Sequence, residues 1–230
     1  LPTELMGQVL PINVTYHNMF NPTKSFRYYL LPGMLLAILQ VGIVMMGAAR
    51  GYESRKLYVR DFGRHIQNII FWSLLAALGM MLCLGVQFIC FGLPYRGTVL
   101  GGVLLLLIYA ITITCMGYIV GSLVPERVFA VQLAAICVLP TSVLGGYTYP
   151  LTAMPEAYQS FAQFLPYTYL GSDIRALCLK PLEVHHILPH LIFLAKYALV
   201  EILLLLLIKL LLGWLQKRNR DKKLGKEAAL

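Results

Sequence analysis

The chain has 230 residues, of which 59% are hydrophobic and 13% charged, and its formal net charge is +9. That composition leaves too little polar surface for a water-soluble domain. The 19 basic residues against 10 acidic ones do not imply a nucleic-acid partner, because they gather at the ends of apolar segments and not along one polar stripe.

In chain order, residues 1–29 mix polar, aromatic and turn-forming residues such as Asn21-Pro22 and read as the end of an extracytoplasmic domain. Tyr28 and Tyr29 suit the aromatic belt at a membrane surface. Five apolar stretches follow, at about 30–49, 68–91, 99–124, 128–146 and 191–215. The segments 66–95, 97–126 and 128–155 together hold a single charged residue, the terminal Glu126. Crossing a bilayer takes about 20 consecutive apolar residues in a helix, so the expected fold is an all-α integral membrane protein with five transmembrane helices.

Twelve of the 19 basic residues follow the first, third and fifth apolar stretches, among them Arg60, Arg127 and Lys222. The positive-inside rule therefore places the loop 51–64 and the basic tail 216–230 in the cytosol, and residues 1–29 and the 147–190 loop outside. An odd number of spans with an external amino end calls for upstream sequence. The chain is accordingly expected to be a segment of a longer protein, with an earlier membrane helix before residue 1.

The first cytosolic loop, bounded by Gly51 and Gly63, carries Tyr52, Glu53, Arg55, Leu57, Tyr58 and Phe62. In a helix, Leu57 and Phe62 fall close to Tyr58 with charged residues around them, a pattern that suits either lipid headgroups or docking on a cytosolic partner. The second and third spans are separated by so few residues that they must form an antiparallel hairpin. Gly117 and Gly121 form a G-x-x-x-G step on the third span, read here as a site of close helix packing.

The outer loop contains a helical hairpin at about 153–180. Pro155 suits a first helical turn beside Glu156, Pro166 is expected to end that helix, and a second short helix is expected over 170–179. His185, His186 and His190 cluster nearby, but no H-E-x-x-H frame is present and Pro189 is expected to interrupt the helix that would align them, so no metal site is assigned. No G-x-x-x-x-G-K-[ST] or G-x-S-x-G occurs, which removes ATP binding by a P-loop and the nucleophile elbow; no catalytic or cofactor-binding residue is assigned.

Within the spans, Lys196 and Lys209 are expected to snorkel to the two membrane surfaces. Glu201 lies about 15 Å along a helix from Leu191, near mid-bilayer. It suits either an interhelical hydrogen bond or a polar pathway, as do Gln40, Gln87 and Gln132.

Taken in order, Phe26-Arg27-Tyr28-Tyr29-Leu30-Leu31-Pro32-Gly33, then Met154-Pro155, Leu165-Pro166-Tyr167-Thr168, Arg175 and Leu179-Lys180 resemble the membrane subunit of type-two ABC exporters. The resemblance implies a fragment of a six-helix permease half, beginning before the family's second transmembrane helix. It also implies a coupling helix at Tyr52 to Phe62, although the Gly-Thr-x-Glu common in that loop is replaced here by Tyr52-Glu53-Ser54-Arg55. The partners it implies are a cytosolic nucleotide-binding ATPase carrying ATP and Mg, a second permease half (the same chain or a paralogue) and a periplasmic adaptor. Localisation would be the plasma membrane, the inner membrane in a bacterium. A membrane-embedded lipid-modifying enzyme and a non-transporting scaffold are the alternatives from other classes.

Overall fold

The computed structural model describes residues 26–56 and 62–227, and among them all regular structure is helical. Residues 1–25 of the outer segment, and Leu57 and Tyr58 of the cytosolic loop, lie outside the described residues. Eight α-helices follow: α1 (Phe26–Glu53), α2 (Phe62–Phe91), α3 (Val99–Leu123), α4 (Arg127–Val138), α5 (Thr141–Leu144), α6 (Glu156–Ala162), α7 (Pro166–Leu179) and α8 (Val184–Glu227). Five segments are long and apolar enough to cross a membrane, namely α1, α2, α3, α4 with α5, and the Val184–Leu215 part of α8. Many of their large apolar side chains, including Ile70, Leu82, Ile89 and Leu203, are exposed, as expected where the surrounding solvent is lipid.

The centre of the bundle is α3, which touches α1, α2, α4, α7 and α8. Its seam with α1 is built from glycines on both sides. A Cβ on Gly117 would lie 2.5 Å from the Val44 carbonyl, one on Gly47 2.8 Å from the Thr114 carbonyl, and one on Gly51 2.5 Å from the Tyr118 carbonyl. The G-x-x-x-G step of α3 therefore meets a second one, Gly47-x-x-x-Gly51, within the same chain. In hydrocarbon, where burying apolar surface between helices gains little, such backbone-to-backbone approach supplies the van der Waals contact that holds helices together.

Several expectations are corrected. The fourth apolar stretch is two helices, because Pro140 lacks the N–H that a continuous ladder needs, and the chain turns at Leu139-Pro140 before α5. The first outer helix stops at Ala162, and Pro166 opens α7 at its first turn, where its missing N–H costs nothing; α7 thus begins four residues earlier than expected. Pro189 does not interrupt α8, which runs through it. The helix also continues beyond the last span to Glu227. Finally, Lys209 does not snorkel: it is 4% exposed and bonded inside the bundle, as described below.

Candidate functional site

The other four spans all reach the inner end of α1. Gly51 abuts the Tyr118 backbone of α3. Glu53 accepts from Arg50 at 2.8 Å through one carboxylate oxygen and from Arg127, at the start of α4, at 3.2 Å through the other. The Arg50 guanidinium lies 4.5 Å over the Trp72 ring of α2. On the far side, Lys209 of α8 donates to the Ser54 carbonyl and lies 3.5 Å from its hydroxyl, while that hydroxyl donates to the Gly51 carbonyl at 2.7 Å. The exposed ion pairs of Glu53 contribute little energy singly. The buried Lys209 contact is different, because an ammonium taken out of water needs its acceptors.

Of the residues expected to dock a partner, Tyr52 and Arg55 are half-buried and Glu53 is exposed with both oxygens engaged within the chain. Phe62 opens α2.

The intramembrane polar residues divide into three kinds. Gln40 is 1% exposed and joins three spans: its amide donates to Thr141 Oγ1 at 3.2 Å, and its carbonyl accepts from the Tyr109 hydroxyl. Thr141 in turn donates to the Val138 carbonyl at 2.6 Å, so the hydroxyl helps close the break between α4 and α5. Gln132 is exposed on α4. Glu201 is 5% exposed, and its Oε2 has no hydrogen-bond partner among the described residues. Gln87 reaches only Cys83 of its own helix, at 3.6 Å.

At the outer end, sequence reasoning missed a cluster around Tyr147, which follows Gly146 in a positive-φ turn. Its hydroxyl accepts from the Gly33 N–H at 2.8 Å and donates to the Tyr29 carbonyl at 3.0 Å. Those two groups are each other's partners in an unbroken α-helix, so the hydroxyl is inserted into the α1 ladder. Tyr167 donates to the Gly33 carbonyl at 2.8 Å. Arg175 donates to the Tyr147 carbonyl at 2.6 Å, with its guanidinium 3.8 Å over Tyr29 and 4.1 Å over Tyr147. Burial pushes the Tyr147 phenol up, partly offset by the Gly33 bond and by Arg175.

Nearby, His190 of α8 pairs with Asp173 of α7 at 2.7 Å, and His185 with Glu183 at 3.3 Å. Burial raises the Asp173 carboxyl and the His190 bond partly offsets it; the Asp173 Oδ2 has no partner. No group of three or more metal-ligating side chains occurs among the described residues.

An all-helical bundle with five membrane-length segments, the fourth of them broken, and an outer helical hairpin defines a polytopic membrane protein. The family model described as ABC-2 family transporter protein matches residues 3–208, and the chain belongs to that family. It is similar to the probable multidrug ABC transporter permease YbhS of Escherichia coli (strain K12), 25% identical over 178 residues covering 73% of this chain and 47% of YbhS. It is also similar to ABC transporter G family member 20 of Dictyostelium discoideum, 23% identical over 177 residues covering 72% of this chain and 24% of that protein. The chain thus spans about half or less of the length of these relatives. No solved structure matches it.

Proposed function

We propose that this chain is the membrane permease part of an ATP-driven exporter and that the loop 51–64 couples it to a cytosolic ATPase. The observation that supports this reading is the junction at residues 50–54. A coupling loop does work only if its displacement is shared by the spans, and here the entry to the loop is tied to α2 through Trp72, to α3 through Gly51, to α4 through Arg127 and to α8 through Lys209. A push on the loop is then a push on the whole inner half of the bundle, which is how binding energy at one site selects between two arrangements of another.

ATP and Mg belong to the partner subunit in this reading, and the chain itself has no catalytic role. The membrane is the plasma membrane, the inner membrane in a bacterium, with the carboxyl end of α8 in the cytosol. A second permease half completes the path. The face of α4 that carries exposed Val128, Phe129, Gln132 and Ile136 is an apolar surface with one amide on it, suited to line that path. A periplasmic adaptor is a third partner of the same reading.

The experiment is ATP hydrolysis and transport by the reconstituted full-length protein with its ATPase. Tyr58→Ala and Phe62→Asp remove the apolar docking residues, and Arg127→Glu sets like charge against Glu53 and opens the α4 link of the junction. The expected result is lost docking in the first two, since truncating an aromatic anchor costs about 2 kcal/mol or more, and in the third normal docking with ATP hydrolysis uncoupled from transport. Wild-type ATPase association and transport in all three variants would refute the coupling role.

A further inference from the structure

Glu201 borders a cavity of about 370 Å³ between α3 and α8, whose walls are Met116, Ile119 and Val120 of α3 and Tyr197, Val200 and Leu204 of α8. The walls are apolar apart from the Tyr197 hydroxyl and the Glu201 carboxyl. Val200 and Leu204 are exposed on the lipid side, which leaves the cavity a lateral mouth, and Glu201 lies near the middle of the apolar stretch 184–215. Glu201 as a residue is 5% exposed, and its Oε2 is unpartnered. No basic side chain borders the cavity: Lys209, two turns further along α8, is engaged with Ser54, and Lys196 is not among the lining residues.

A carboxyl group held at mid-membrane without a partner is costly and marks a place where a partner arrives from elsewhere. The chemistry of that partner follows from the site. It must supply N–H donors to an acceptor that has none, it gains most if it also carries positive charge, and the rest of it must suit apolar walls. A cavity of this size falls within the range of small-molecule sites, about 300–1,000 Å³.

We propose that this cavity is a membrane-accessible binding site for lipophilic amines, with Glu201 pairing with the ammonium and the walls from α3 and α8 holding the hydrocarbon part. A carboxylic acid of the same shape brings no ammonium for Glu201 to pair with, and an alcohol lacks the ionic term. The inference is independent of the coupling reading, since equilibrium binding requires no ATPase.

The test is binding of N-dansyl-1,10-diaminodecane to the full-length protein in phosphatidylcholine nanodiscs, read by dansyl fluorescence against empty nanodiscs, with 11-(dansylamino)undecanoic acid as the anionic counterpart. Saturable binding is expected for the amine and not for the acid, with displacement by dodecylamine and not by dodecanol. Glu201→Gln should weaken the amine by about tenfold, corresponding to roughly 1.4 kcal/mol, and Leu204→Trp, which narrows the mouth, should block it; melting curves in detergent check that both variants fold. If Glu201→Gln fails to fold, Leu204→Trp and the amine-to-acid contrast still decide. Equal binding of the two probes, or wild-type affinity in Glu201→Gln, would mean a plain apolar groove and overturn the proposal. So would the absence of any saturable signal above empty nanodiscs, the outcome expected if another helix of the full-length protein covers the cavity.

Discussion

The hydroxyl of Tyr147 stands in the backbone ladder of α1, accepting from the Gly33 N–H and donating to the Tyr29 carbonyl. Pro32, the preceding residue, already removes one rung because it has no N–H. The outer end of α1 is therefore held by side chains from the loop and from α7 in place of its own hydrogen bonds. Gly33 makes this feasible, since a Cβ there would run into the Tyr147 ring. Tyr147→Phe should lower stability by about 1–3 kcal/mol through the unpaired Gly33 N–H, and Gly33→Ala should cost more. Melting of both variants in detergent checks this, and a Tyr147→Phe protein that melts with the wild type would mean that the ladder closes without the hydroxyl.

The glycine seam between α1 and α3 predicts a steep size dependence. Gly117→Ala places a methyl 2.5 Å from the Val44 carbonyl and 2.9 Å from Ala48 N, so the two backbones must separate. Overpacking of this kind costs about 1–3 kcal/mol, and Gly117→Leu should prevent folding. Gly79 and Gly85 of α2 have nothing within 4 Å of a built Cβ, so Ala at either should be tolerated. Similar melting temperatures for Gly117→Ala and Gly85→Ala would contradict the seam.

Asp173 predicts a pH dependence on the outer side. Burial raises its carboxyl in the folded chain, so the folded protein keeps a proton over a range where the unfolded chain, with an Asp near about 3.9, has released it. Stability then falls as pH rises from about 4 through the raised folded value. Asp173→Asn removes that titration while keeping an acceptor for His190. Its melting temperature should change less between pH 4 and pH 7 than that of the wild type, and equal slopes in the two proteins would show that the carboxyl does not control the effect.

Lys209 predicts a local effect at the inner end of α1. Lys209→Met keeps the length and apolar stem but leaves the buried Ser54 carbonyl without its donor, a loss of about 1–3 kcal/mol. Amide exchange should accelerate at residues 50–56 and not at the outer end near Gly33. Uniform acceleration along α1 would point to a global rather than a local role.

Membrane sidedness is checked by single cysteines in a background lacking Cys83, Cys90, Cys115, Cys137 and Cys178. An impermeant thiol reagent on intact cells should label positions 158 and 180 and spare positions 60 and 222, following the distribution of basic residues. Labelling of position 222 with none at 180 would invert the topology.

The five membrane-length segments were legible in the sequence because length, apolarity and absence of charge are properties of one continuous stretch. The doubtful positions were prolines: Pro140 and Pro166 announce a break or a start, but which of the two depends on where the neighbouring hydrogen bonds go. What lay beyond the sequence was pairing across the bundle. Gly117 and Gly121 stood out as a close-packing step, and Gly47-x-x-x-Gly51 has the same spacing, yet a spacing does not say which step packs on which. Gln40 meets Tyr109 and Thr141 at separations of 69 and 101 residues, and Lys209 meets Ser54 at 155. In hydrocarbon a polar side chain takes whichever partner the packing brings within reach. Only the assembled bundle decides that Lys209 finds one, that Glu201 does not, and that the hydroxyl of Tyr147 takes a rung in another helix.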